Sequence, residues 1–372
     1  MSSKKSFLIF IALSAVLLAV AAGIVIYIDP FFHYHLPHTD RFFYTLDNER
    51  SQNNGLLKHF DYDAVITGNS MAENFKATEV NEIYGVNAMR ATYMGGTFYE
   101  INSALELALE THPDVKVVIR ALDMARFFEE AEILREDLGD YPDYLYNDNP
   151  FDDVKYFWNK DVLGRCYAMI RASVKGEPRG MTPLDLHGYW MPGFVGQFGK
   201  NTLLAGHAPF EAPVHMRDLF DDERERIERN VERNVIALCR EYPDTVFYYF
   251  ITPYSAVWYG DQRTMGTLNV YINGEAQAIR QILENGPDNL KLFSYNMFTD
   301  ITTNLDNYKD AAHYGEWINS QILHYMHDGA GLLTKDNYEE YIRQELEFYN
   351  TFDYNSLFMQ EDQEDRPSDY SW

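Results

Sequence analysis

"AVITGNSMAEN", Ala64–Asn74, carries an apolar run into a glycine, then an asparagine and a serine, and there the polarity changes. Read from Tyr62, the run is a buried strand ending at Gly68, followed by a helical stretch from Ala72 to about Tyr84. The same alternation recurs on both sides. "GVNAM" (Gly85–Met89) is a second short strand, and "YEINSALELALETH" places Ile101, Leu105, Leu107, Ala108 and Leu109 at helical spacing. "VKVVIRAL" (Val115–Leu122), "TVFYYFIT" (Thr245–Thr252) and "LKLFSY" (Leu290–Tyr295) are the third to fifth strands. Helical segments precede the last two: "DDERERIERNVERNVIALCREY" and about Leu268–Glu284. A further amphipathic helix is expected from about Ala311 to Met326, and a terminal helix over Leu332–Tyr349. Strands alternating with helices predict an α/β fold, a parallel sheet with helices on both faces.

Phe127 to Met216 interrupts this pattern and is too long for a plain connection. It reads as an inserted helical subdomain. "DVKYFWNKDVLGRCYAMIRASV" supplies its main helix, and "GYWMPGFVGQFGKNTLLAGHAPF" an aromatic, glycine-rich loop of the kind that shapes clefts. The expected division is therefore 1–28 stub and anchor, 29–54 connector, 55–126 and 217–352 the two parts of the α/β domain, 127–216 the insertion, and 353–372 a tail. The tail contains "QEDQEDRPSDYSW" and is expected to be disordered.

Lys4 and Lys5 precede "FLIFIALSAVLLAVAAGIVIYI", Phe7–Ile28, which has no charge. As a helix this run is roughly 33 Å long, against a hydrocarbon core of ~30 Å. The reading is a single-pass membrane anchor over residues 7–28, its amino end cytoplasmic and the rest of the chain extracytoplasmic. The competing reading is a cleaved signal peptide, with Ala19-Val20-Ala21 as the cleavage site. The connector holds "HYHLPH", with His33, His35 and His38; closely spaced histidines suit a metal, but an interfacial segment is the preferred reading. A formal charge of −26 repels phosphate backbones and argues against nucleic-acid binding. Cys166 and Cys239 fall in different helical segments and read as two free thiols.

Ser70 follows the first strand at a helix start, and ligands of open α/β sheets bind beyond the carboxyl ends of strands. Free N–H groups there can hold the oxyanion of an ester under attack; the plainer reading is a helix N-cap. Far downstream, "KDAAHYG" sets Asp310 and His313 three residues apart just ahead of a helix. Histidine suits a base that takes a serine proton, and an aspartate would fix its tautomer. The plainer reading is again a cap, with a surface histidine.

Taken together, the two blocks resemble the SGNH hydrolases, or GDSL esterases. "TGNS" (Thr67–Ser70) matches the serine block loosely, with Asn69 where aspartate is usual, and Lys309–Gly315 matches the last block. "MGGTFYE" (Met94–Glu100) is similar to the glycine block. The resemblance implies a three-layer, flavodoxin-like sheet of SGNH type, and catalytic Ser70, Asp310 and His313. It implies oxyanion donors at the N–H groups of Ser70 and Gly96, with Gly95 the near alternative. It implies no metal and no cofactor. One block departs: Asp123 in "IRALDMARF" stands about where the family has an asparagine donor, and a carboxylate cannot donate unless protonated. The third donor is then missing or comes from elsewhere, Asn69 and Asn87 being the unranked candidates. The anchor and this departure agree with a membrane-bound branch resembling polysaccharide O-acetylation and teichoic-acid D-alanylation proteins, whose partners are a cell-surface glycan and a membrane-bound O-acyltransferase. The expected function is an extracytoplasmic acyl (acetyl) esterase or O-acyltransferase working through an acyl-serine. The alternatives are a catalytically inactive scaffold of an acylation complex and a glycan-binding module; for the last, only the 28 tyrosines speak. An α/β-hydrolase would need a second glycine where Ala72 stands, and no P-loop lysine follows Gly68.

Overall fold

A computed structural model describes residues 3–135, 137, 141–147, 149–194 and 197–360. The acidic stretch 361–372 lies outside them. Along the chain the main elements are α1 (Ser3–Ile28), α2 (Glu49–His59), β1 (Ala64–Gly68), α3 (Ala77–Tyr84), β2 (Ala88–Thr92), α4 (Phe98–Thr111) and β3 (Val117–Leu122). There follow α5 (Lys160–Val174), α6 (Asp221–Val231), β4 (Val246–Ile251), α7 (Ala256–Met265), α8 (Leu268–Asn285) and β5 (Leu290–Ser294). The last are α9 (Glu316–Asp328), β6 (Leu332–Leu333) and α10 (Tyr338–Thr351).

The chain forms two compact units: Met1–Asp61 with Glu136–His187, and Tyr62–Arg135 with Gly188–Trp372. This differs from the expected division. The stretch 136–187 does not stand alone as an insertion; it packs with the N-terminal segment. The aromatic loop from Gly188 belongs instead to the sheet unit. The physical reason is a side chain that sequence periodicity does not reveal. Asp29, at the end of α1, is buried and accepts the backbone N–H groups of His33, Tyr34 and His35 at 2.9, 2.7 and 3.1 Å, and the Tyr156 hydroxyl at 2.7 Å. Phe43–Tyr44 also pairs in parallel with Gly180–Met181. α1 is long and apolar enough to cross a membrane.

The second unit is built on a sheet of order β2-β1-β3-β4-β5-β6, parallel except for the antiparallel edge pair β5–β6. The sheet is therefore mixed rather than wholly parallel as expected; two residues, Leu332 and Leu333, are too short a run to register as a strand pattern. β1–β3 are almost wholly buried, as strands covered on both faces must be. β2 continues past Met89 through Arg90 to Thr92, because the buried Arg90 guanidinium donates to the carbonyls of Glu73 and Phe75. α4 starts at a capping box, the Thr97 hydroxyl accepting from Glu100 N and the Glu100 carboxylate from Thr97 N. α7 carries no clear apolar period and was not expected. The expected tail starts too early: Tyr354–Met359 forms a 3-10 helix that buries Tyr354 and Leu357. Cys166 and Cys239 are both buried free thiols.

The chain order places a topological switch between β1 and β3: the connection after β1 runs to β2 on one side, and the next returns to β3 on the other. In open α/β sheets a crevice forms at such a switch, beyond the strands' carboxyl ends.

Candidate active site

Ser70 lies two residues past β1, at that switch. Gly68 makes the turn with φ of 145°, where a Cβ would come within 2.8 Å of the Ala72 Cβ, so only glycine fits. Asn69 closes the turn through its side-chain oxygen, which accepts Met71 N at 3.1 Å. α3 begins only at Ala77, so Ser70 is not its N-cap; that cap position is Lys76.

The second block sits on a tight excursion between Tyr308 and Tyr314, which form an antiparallel bridge and are both buried. Lys309 N donates to His313 O at 3.0 Å across it. The Tyr308 hydroxyl donates to Pro253 O at 2.9 Å, and Ser255 N and Oγ both reach Ala311 O, at 3.1 and 2.7 Å. The Tyr314 hydroxyl and the Asn319 amide, the latter on α9, donate to Met71 O at 3.3 and 2.9 Å. These bonds tie the excursion to the residue after Ser70.

The outcome is a three-membered chain of contacts. Ser70 Oγ is 2.8 Å from His313 Nε2, across 243 residues of sequence. His313 Nδ1 is 2.9 Å from each oxygen of Asp310. Burial acts to raise the Asp310 pKa, but hydrogen bonds and charge from His313, with the N–H groups of His313 and Ala312, outweigh it and hold the carboxyl at about 2. An ionised carboxylate only accepts, so the shared proton belongs to His313 Nδ1 and leaves Nε2 free to accept from the serine. Asp310 remains about half exposed, at 47% of its side-chain surface.

The expected oxyanion donors divide. Gly96 N donates to Tyr93 O at 2.7 Å, so this N–H is spent inside a turn, a correction to its expected role. Gly95, with φ of 61°, has an N–H with no acceptor among the described residues, and the same holds for Ser70 N–H. Asn87 lies at the amino end of β2, bonded to Asp63 at the far edge of the sheet, and is excluded from the site. Asn69 is at the site: its amide donates to Asp123 Oδ2 at 2.6 Å. Asp123 also accepts Ala125 N at 3.0 Å and the Tyr254 hydroxyl. Burial and the Asp123 charge push the Tyr254 phenol well above its usual range, so it stays a donor.

Sequence reasoning did not single out Trp190 or Lys309. Trp190 Nε1 donates to Ser70 O at 3.0 Å, and its ring meets the His313 ring edge-on at 5.8 Å and 85°. The Lys309 ammonium lies 4.6 Å from the centre of the Trp190 ring and 3.7 Å from Asp310 Oδ2. The available signal was general: Trp190 belongs to the aromatic loop expected to shape a cleft. Among the described residues, no group of three or more His, Cys, Asp or Glu side chains is placed to hold a metal ion.

No protein-family model matches this sequence, and no curated protein matches it. Among solved structures, the chain has a distant similarity to one provisionally described as a platelet activating factor from Streptococcus pneumonia, at 10% identity and a TM-score of 0.36, covering 76% of this chain and 90% of that one.

Proposed function

We propose that the chain is a membrane-anchored, serine-dependent acyl (acetyl) esterase or O-acyltransferase of SGNH type, acting on a cell-surface glycan outside the cytoplasm. The observation that carries this reading is the 2.8 Å contact between Ser70 Oγ and His313 Nε2, backed by the ionised Asp310. Strand order 2-1-3-4-5 supports a flavodoxin-like, three-layer arrangement. The length of α1 supports anchoring, and Lys4 and Lys5 a cytoplasmic amino end.

In the first half-reaction Ser70 Oγ attacks the acyl carbonyl carbon while His313 Nε2 takes its proton. The carbonyl oxygen becomes an oxyanion held by the N–H groups of Ser70 and Gly95. Collapse breaks the ester C–O bond, and the imidazolium returns the proton to the leaving alcohol. In the second, water or a glycan hydroxyl gives its proton to His313 and attacks the acyl-serine, releasing Ser70 with its proton restored.

The two departures from the family pattern are one exchange. Where the family sets aspartate beside the serine and asparagine after the third strand, this chain has Asn69 and Asp123, hydrogen-bonded at 2.6 Å. The amide now sits on the β1 side, and its second N–H is the third oxyanion donor. This answers the main motive for an inactive scaffold. The experiment is labelling with a serine-directed fluorophosphonate, followed by peptide mapping. An adduct on Ser70, absent in His313→Ala, is expected. A folded protein that never labels, with glycan acylation in cells unchanged by Ser70→Ala, returns the scaffold reading.

A further inference from the structure

The first unit holds the end of α1 directly, without a linker. Val25 and Ile28 are buried, the Tyr44 hydroxyl donates to Ile28 O at 2.6 Å, and a His35 ring nitrogen lies 2.8 Å from Ile26 O. Wherever α1 leaves a bilayer, this unit is at the headgroups. A cavity of about 420 Å³ lies at the same level, bordered by Tyr27 of α1, by Arg41 and Phe42, and by Ser173 and Arg179. The carboxyl end of α5 is thus beside the exit point.

α5 is two-faced. Val162 and Cys166 point into the unit. Tyr167, Ile170 and Val174, at i, i+3 and i+7, stay exposed, Val174 at 82%. Just ahead of the helix, Trp158 is also exposed. Residues 154–179 carry six basic side chains against two acidic ones, within a chain of net charge −26. Arg165 is paired with Asp47 and Asp161, and Lys175 lies 3.6 Å from Glu177 Oε1 in an exposed pair; Lys160, Arg171 and Lys175 are all exposed beside the apolar stripe. A short helix with an apolar stripe, flanking cations and edge aromatics is built to lie in a membrane interface. The acidic remainder does not oppose this at close range, because screening limits its reach to about 8 Å at physiological salt.

We infer that α5 is a second membrane contact: it lies on the anionic bilayer surface next to the point where α1 enters, with Tyr167, Ile170 and Val174 among the headgroups. This rests on the reading of α1 as a spanning helix. It makes the first unit a fixed mount and not a loose spacer.

The test uses the full chain in lipid nanodiscs of phosphatidylcholine, with or without phosphatidylglycerol. Single cysteines at Val174 or Leu13 carry an environment-sensitive dye; Cys166 and Cys239 are buried and do not compete. The thiol-quenched free dye is the aqueous reference. In anionic discs the Val174 dye is expected to shift to the blue and to be quenched by lipids spin-labelled near the headgroup. Replacing Arg171 and Lys175 by alanine lowers the ratio of docked to undocked helix by about fivefold for each charge removed. A Val174 dye that matches the aqueous reference while the Leu13 dye is quenched deep in the bilayer overturns the proposal and leaves the anchor standing. Shielding that needs two chains in one disc overturns it in favour of a second copy as the occupant. A Leu13 dye that is never quenched removes the anchor reading and this one with it.

Discussion

The Asn69–Asp123 pair gives the sharpest test at the scale of single residues. Asn69→Asp alone sets two carboxylates at hydrogen-bonding distance and removes a donor, and is expected to cost roughly 10²–10³ in kcat. The double variant Asn69→Asp, Asp123→Asn restores one amide and one carboxylate with polarity reversed, and recovers most of that loss in a steady-state ester assay. Trp190→Phe keeps the ring beside His313 but loses the bond to Ser70 O. An expected drop of about fivefold in kcat with unchanged KM follows from one positioning hydrogen bond of ~1 kcal/mol. The acid limb of the pH profile tests Asp310. The Asp310 pKa is lowered from 3.8 to about 2, so its contribution is present above 3.8 and is lost only as pH falls through about 2. Asp310→Asn removes the tautomer lock without abolishing serine labelling altogether.

Among the elements, α8, α10 and the turn after β5 meet at two carboxyl groups. Glu275 and Glu345 are buried, and the Asn296 amide donates to Glu275 at 3.0 and 2.9 Å and to Glu345 at 2.9 Å. Burial and mutual repulsion raise Glu275 well above the usual carboxylate range, and burial raises Glu345 to about 7. Raised acids favour the protonated fold, so this stabilisation is complete below the ordinary value of 4.5 and is lost as pH rises through about 7. Denaturation of the sheet unit followed over that range is expected to show falling stability, and Glu275→Gln to flatten the slope. Gly68→Ala is the complementary test of the serine turn: with φ of 145° and a Cβ 2.8 Å from Ala72, it should destabilise by ~1–3 kcal/mol and depress labelling of Ser70. Element by element, β1, β4 and β5 were legible because each is an apolar run bounded by turn residues. Arg90 hid the end of β2, since a buried guanidinium reads as a surface residue until its carbonyl partners are known.

For the molecule as a whole, the segments most easily misread were those defined by partners distant in sequence. No periodicity announces that Asp29 will bond Tyr156, and so the assignment of 136–187 to the N-terminal unit was not legible. The Ser70–His313 pairing was legible through two motif blocks, whereas Trp190 was not, because a lone tryptophan in a loop carries no spacing. Full-length protein is expected to remain in the membrane pellet after alkaline carbonate extraction; release into the supernatant would favour the cleaved-leader reading. One interior feature also bears on how the chain can vary. α6 continues into a π-helical turn, Glu232–Ile236, and the Asn234 carbonyl there accepts the Arg120 guanidinium of β3 at 2.6 Å. A π turn holds one residue more than regular winding. Deleting that residue would close the ladder and take the shortest bond from a permanent cation in the core, leaving it only Asn102 Oδ1 at 3.3 Å and Phe98 O at 3.4 Å, and arginine cannot shed its proton. A related chain shorter by one position at 232–236 should therefore have lost the arginine at 120, so a gap in one helix forecasts a substitution in a strand more than a hundred positions upstream.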